Sequence, residues 1–402
     1  MKRSSVWLSL ALFLWSTAYN MSLPFLPLAA ADLGANQTQV GWVQGVAYAG
    51  AAVALLPASW LADRFGRKLA IYTTWGIGSL GTLLLLFADH WQGMLPGAFF
   101  MLAGAGAMPA VAALSTEASP SAGRRRTLST VFAAAPAGLL VGSSLGGVIA
   151  ERFSLPSLYG VAALVSLLAI LSLWPVPAEA ARQPSAPNPS APSSKQGGPG
   201  LKLLLLGIPA GVGFLLLSLP SGWLTPYLRD VAGLSLGGTG ITNAQLAVGQ
   251  IAWSALFAVW PRESGFVQLR LGRLGSLRLG RATLFALVIC LLANAVFGLA
   301  FPAGESWLLI PALFLRGALF NLQPLGMALV SEATGVGDGL AGRYSLLAIV
   351  MGVATVGATV AGGALFALAP AWPFYLTGAA ATLGAAALLG IMLFGARVRA
   401  EA

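Results

Sequence analysis

Residues 59–68 read Ser59-Trp60-Leu61-Ala62-Asp63-Arg64-Phe65-Gly66-Arg67-Lys68 and stand between two long apolar runs. Asp63 falls where the first run ends. A carboxylate there would pair with Arg64 or Arg67, or accept from amides at the positive end of a neighbouring helix, and so latch one of two conformations. Gly66 frees the chain to turn sharply. Arg67 and Lys68 are placed to meet anionic headgroups and hold the loop inside. A plain topology signal would need the basic residues only, not an aspartate and a glycine at fixed spacing.

The surrounding composition makes the bilayer the solvent. The 402 residues are 57% hydrophobic and only 8% charged, with a mean hydropathy of +0.82, outside the range of ordinary soluble chains. A net charge of +10 raises the question of nucleic acid, but the charges sit between apolar runs and no basic patch is interleaved with aromatics. One cysteine, Cys290, and one histidine, His90, leave no disulfide and argue against a protein-bound metal centre. No phosphate-cradling Gly-x4-Gly-Lys-Ser/Thr occurs, so the chain is expected to use gradients, and no catalytic set can be assembled around one peripheral histidine. The reading is of a non-enzyme that needs no cofactor.

Runs long enough to cross about 30 Å of hydrocarbon lie near 5–29, 38–61, 69–88, 93–115, 127–149, 154–176, 202–228, 240–260, 282–302, 306–330, 343–367 and 372–395. The count is twelve. Met1–Asn20 imitates a secretory signal, but the apolar run continues to Ala30 and is read as the first span. With the N-terminus inside, all of the 22 Lys and Arg except Arg152, Arg229 and Arg316 fall on the cytoplasmic side, which orients both termini inward. Residues 177–200, rich in Pro, Ser and Ala, read as a linker between a 1–176 half and a 201–402 half. The halves look duplicated. Pro109 precedes Glu117 as Pro324 precedes Glu332, and Gly146-Gly147 is echoed by Gly362-Gly363. Glu117 and Glu332 would pair with Arg124–Arg126 and Arg343, or remain solvated.

The 59–68 loop resembles the signature loop of the major facilitator superfamily, Gly-x-Leu-Ala-Asp-Arg-x-Gly-Arg-Lys, with only Ser59 departing. The resemblance implies an all-α membrane protein of twelve helices in two pseudo-symmetric six-helix halves, alternating access, and a site near the midplane. The second half keeps only Arg278-Leu279-Gly280-Arg281. The fifth span, Gly138-x3-Gly142-Ser143-x2-Gly146-Gly147, resembles the antiporter signature of the drug exporters, with Ser143 in place of proline. Small residues at that spacing also serve close helix packing. Phe100 stands where drug antiporters carry an arginine.

Arg316 lies ten residues into the tenth span, about 15 Å from its outer end. A guanidinium at a helix centre costs about 2.5 to 3.5 kcal/mol on the mildest insertion scale, so it needs a partner. A substrate anion in a cavity and bonding to a neighbouring helix both remain open. Gln323, seven residues on, shares its face in a regular helix. Ser16, Thr17 and Asn20, then Gln44 and Tyr48, then Ser218, Ser221 and Thr225, then Asn243, Gln250, Trp253 and Ser254 form stripes on helices that line the cavity in the family. Bonding between helices is the other use of such residues.

The expected cargo is a small polar or anionic solute, a sugar or organic acid, contacted by Arg316, Gln323, Asn20, Gln44, Tyr48, Gln250 and Trp253. Multidrug efflux is the alternative. The setting read from composition and charge is a bacterial inner membrane and a monomer with no nucleic-acid partner. Asp32 is the best-placed carboxylate for a coupling proton.

Overall fold

The structure, a computed structural model, describes residues 3–117, 131–177, 199–259, 265–270, 276–334, 340–394 and 396–398. Lys2, Arg124–Arg126, Arg182, Lys195, Arg262, Arg273, Arg399 and all but the ends of the 177–200 linker lie outside the described residues.

Among the described residues, ten helices are long and apolar enough to span a bilayer. The first six are Ser4–Asp32, Gln37–Phe65, Arg67–Leu86, Trp91–Ser115, Ala134–Arg152 and Leu155–Ser172; the ninth to twelfth are Arg281–Ala303, Ser306–Ala333, Leu346–Leu368 and Trp372–Phe394. Two broken segments stand between these groups. The seventh runs Pro199–Ser218, then turns, and resumes at Leu224–Pro226 and Tyr227–Val231. Pro220 and Gly222 lie in the gap, where the missing N–H and the loose backbone stop the ladder. The eighth is Leu236–Asn243 followed by Gln245–Ala258. Ten spans and two interrupted helices are compatible with twelve crossings.

The fold is nearly all helical, as expected, and three short strands stand beside the helices. β1 (Phe266–Arg270), β2 (Ser276–Gly280) and β3 (Ala396–Val398) form an antiparallel sheet in the order β2-β1-β3. Val267 pairs with Leu279 across the hairpin, each 3% exposed, and both pack near Leu284, Leu329 and Leu388. Apolar and polar residues alternate here with the period of a strand, a pattern masked by the arginines that made the stretch read as a basic loop.

By contact the chain forms two compact units. One comprises Met1–Pro187, Ser221–Val248 and Thr359–Pro370; the other comprises Asn188–Pro220, Gly249–Ala358 and Ala371–Ala402. In the first, a Cβ on Gly50 of the second helix would overlap the Phe99 carbonyl of the fourth. In the second, Gly249 of the eighth helix meets the Phe314 carbonyl of the tenth in the same way. The fourth and tenth helices also tighten to 3-10 geometry at matching places, Gly104–Ala107 and Gly317–Asn321. The duplication read from sequence thus reaches individual backbone contacts.

The glycines of the fifth helix set its closest packing. A Cβ on Gly138 would lie 2.7 Å from the Phe13 oxygen and one on Gly146 2.7 Å from the Met21 oxygen, while Gly142 faces Thr17 and Met21. Three glycines one turn apart therefore seat the first helix directly on the fifth. Gly142→Leu is expected to destabilise the fold by about 1–3 kcal/mol through overpacking against backbone. Thermal unfolding in detergent, followed by tryptophan fluorescence, measures it; an unchanged midpoint would contradict the contact.

Candidate functional site

The loop at 59–68 folds as its residues require. Gly66 has φ +98° and ψ +152°, ending the second helix and opening the third, a conformation that L side chains rarely adopt. Lys68 Nζ donates to the Trp174 oxygen at 3.1 Å and to that of Val176. The expected meeting of Lys68 with headgroups is therefore corrected: the ammonium is held by carbonyls of the turn that follows the sixth helix. Arg64 stacks its guanidinium 5.5 Å from Trp60 and 5.6 Å from Phe65. Asp63 is exposed and, among the described residues, makes no hydrogen bond or ion pair, so the pairing with Arg64 or Arg67 is not made in this conformation. The glutamate at the end of the tenth helix does bind a helix start: Glu332 accepts from Gly280 N at 2.8 Å and from Thr283 Oγ1 at 2.7 Å. The side chain of Arg343, its expected partner, lies outside the described residues.

At the opposite end of the first unit, which the charge count assigns to the outside, residues of the two sequence halves meet. Gly147 faces the eighth helix, where an added Cβ would lie 2.5 Å from the Leu236 oxygen and 2.9 Å from Gly240 Cα. Gly41 faces the eleventh at 3.1 Å from Gly363 Cα. Glu151 Oε2 accepts from Ser235 Oγ at 3.0 Å and Gly237 N at 2.5 Å. Arg229 Nη1 lies 3.6 Å from Asp32, and its Nε 3.9 Å from Asp230. Burial raises the Asp230 carboxyl above its ordinary value against the pull of Arg229, and Asp32 adds to the rise. Asp32, Tyr159, Ala150 and Leu236 line a cavity of about 310 Å³. On the same side, the His90 hydrogen bond holds the Asp89 carboxyl below the usual carboxylate range.

In the second unit Arg316 is only 2% exposed. Its Nη1 donates to Asn294 Oδ1 at 2.8 Å, and the guanidinium lies 5.0 Å from the Phe297 ring. Asn294 Nδ2 donates in turn to the Cys290 oxygen at 2.8 Å. One donor of the guanidinium is thus bonded to the ninth helix, which is the second of the two uses left open by the sequence. Gln323 is exposed and does not share that environment. The five 3-10 residues Gly317–Asn321 intervene, and at 3.0 instead of 3.6 residues per turn they rotate the rest of the helix by about 100°. Asn294 was missed, although it is the one amide in the otherwise apolar run 284–300.

The polar stripes divide. Ser16 Oγ donates to the Ala135 oxygen at 2.6 Å, and Asn20 Nδ2 to the Ser16 oxygen at 2.8 Å. Gln44, 2% exposed, donates to the Gly222 oxygen at 3.2 Å. Asn243 Nδ2 donates to Thr225 Oγ1 at 2.8 Å, whereas the break after Ser218 removes the expected shared face of Ser218, Ser221 and Thr225. Trp253 Nε1 donates to the Phe314 oxygen at 3.2 Å and Ser254 Oγ to Asn321 Oδ1 at 3.0 Å. Asn20, Tyr48, Gln250 and Trp253 remain half-buried. Among the described residues no three His, Cys, Asp or Glu side chains group to hold a metal.

A family model described as Major Facilitator Superfamily matches residues 8–264. The chain belongs to that superfamily. Solved structures agree in fold. A mutant of the nucleoside transporter NupG superposes with a TM-score of 0.74 at 12% identity, covering 97% of this chain and 100% of that one; the POT family transporter PepTSo gives 0.72 at 12%, covering 98% of each. Among curated superfamily relatives, multidrug resistance protein MdtG of Escherichia coli is 30% identical over 173 residues, 42% of each chain. The multi-drug resistance efflux pump PmrA homolog of Lactococcus lactis is 29% identical over 167 residues, 40% of this chain and 41% of that one. The chain thus spans about two fifths of the length of the curated relatives it matches.

Asn294→Leu is expected to destabilise more than the double variant with Arg316→Met, because it removes an acceptor from a buried cation. A double-mutant cycle by chemical unfolding in detergent should give a coupling of about 1–3 kcal/mol; additivity would mean that the bond at 2.8 Å carries no stability.

Proposed function

We propose that the chain is a secondary transporter working by alternating access, and that it exports lipophilic compounds driven by an ion gradient. The observation that carries the choice of cargo is the engagement of Arg316 by Asn294 and Phe297: the deep charge of the tenth span already has partners in the fold. The multidrug names of the partial relatives support the same cargo. Alternation is supported by the first unit, whose outer end is shut by two glycine crossings while Asp63 of the inner loop is released. On this reading residues 1–176 and 201–402 act as rocking halves, in a bacterial inner membrane with both termini inside, as a monomer, with the proton as coupling ion. Half-buried Asn20 and Tyr48 of the first unit, and Gln250 and Trp253 of the second, then serve as substrate contacts.

A polar or anionic solute is the second reading, favoured by the amides among those contacts and by Gln323, which the 3-10 segment leaves exposed. Ethidium movement into inverted membrane vesicles under a proton gradient separates the two. Arg316→Met should keep at least about half of the rate, because a truncated but apolar replacement of a bonded charge costs stability more than binding. Gly147→Trp, which forces the outer crossing apart, should abolish it. Absence of ethidium movement, with sugar or organic-acid uptake that requires Arg316, would overturn the efflux reading.

A further inference from the structure

The two outer glycine crossings are duplicates, but their helix starts are closed differently. At Gly41 and Gly363 the second helix caps itself: Asn36 Oδ1 accepts from Gln39 N at 3.0 Å, and Gln39 Oε1 accepts from Asn36 N at 2.9 Å. At Gly147 and Gly240 the eighth helix has Ser235 in the place of Asn36, accepting from Gly238 N at 3.1 Å. Gly238 stands where Gln39 does and has no side chain to reach back with. The second acceptor comes from another helix instead. Glu151, at the end of the fifth, takes Ser235 Oγ and Gly237 N on one oxygen, placing a full negative charge at the positive end of the eighth. The end of the seventh segment, Tyr227–Val231, which leads into the eighth helix, is held in turn where Asp32 faces Arg229.

We propose that Glu151, seconded by Asp32, is the clasp that holds the outer end closed, and that a proton taken up by Glu151 from outside releases it. The inference rests on the alternating-access reading above. Protonation removes the charge that faces Gly237 N and leaves one oxygen as an O–H donor and the other as a neutral acceptor, so the charge-assisted bonds to the eighth helix weaken. Glu151 is exposed at the outer mouth, so protons reach it from one side only. It controls the gate without carrying a proton across. The charged and titratable groups around it, among the described residues, are Arg152 beside it, Asp32 at the end of the first helix, Tyr159 on the sixth, and Arg229 and Asp230 on the clasped segment; Leu236–Asn243 contributes none. Asp230 acts in the opposite sense. Its carboxyl is raised by burial in the closed form, so acid acting there favours closure, and Asp230→Asn gives the cleaner background.

The test is the distance between spin labels in the full chain in lipid nanodiscs, placed by Phe153→Cys and Val231→Cys with Cys290→Ala. Between about pH 7 and pH 3, which brackets the ordinary carboxylate values of about 3.9 to 4.3, acidification should convert a short distance into a longer one. Glu151→Gln should lower the closed-to-open ratio at high pH about tenfold, as the loss of a charge-assisted bond predicts, and flatten the pH response; Glu151→Asp should restore it. Ser235→Ala, which keeps the glutamate and removes one donor, should shift the ratio the same way by less. A Glu151→Gln chain that stays closed, or that keeps the native pH response, overturns the clasp. Gly147→Trp in the same labelled chain separates the two readings: lengthening there but not with Glu151→Gln sinks the clasp alone, whereas no lengthening in either sinks alternating access as well.

Discussion

Hydrocarbon offers no hydrogen bonds, so each helix must satisfy its own backbone, and helices then come together only as closely as two satisfied backbones can approach. In this chain that approach is made at glycine. The fifth helix uses Gly138, Gly142 and Gly146 to lie on the first, and Gly147, one residue out of phase, to meet the eighth. A single helix therefore carries one seam against a neighbour of its own half and another against the opposite half. Leu145, on neither seam, is exposed.

The two seams differ in what else holds them. The first-helix seam is backed by the Ser16 bond to the Ala135 oxygen and by the buried stack of Trp15 on Trp75, with centroids 4.8 Å apart. Little polar chemistry is exposed there to water or to pH. The eighth-helix seam is backed by Glu151 and by Asp32 facing Arg229, all at the solvent end. Apolar packing and charge-backed contact are thus separated by a rotation of about 100° on one helix, the angle between consecutive residues.

How much of this was legible depended on whether the signal was periodic or exceptional. The 59–68 loop, the long spans, the glycine ladder and the isolation of Arg316 could be read because each rests on local spacing or on the rarity of a residue type in an apolar run. The broken seventh helix was missed although Pro220 and Gly222 announce it, since hydropathy averages over the gap. The sheet was missed because the arginines of its strands dominate the reading of a loop. The expected face shared by Arg316 and Gln323 failed for a geometric reason, the five 3-10 residues between them, and no residue in Gly317–Asn321 forbids a regular helix.

That phase change has consequences for cargo. With Arg316 turned into the ninth helix and Gln323 turned out of it, the tenth helix presents an amide and not a cation to whatever lies beside Gln323. Asn294 completes the arrangement: its oxygen is used by the guanidinium and its nitrogen by the Cys290 carbonyl, so the bond cannot be exchanged for a substrate carboxylate without leaving an amide unpaired in a dry interface. An anion competing for Arg316 would have to offset both the lost bond and the amide it strands, each of the order of 1–3 kcal/mol. A neutral compound places no such demand on the bond between Arg316 and Asn294.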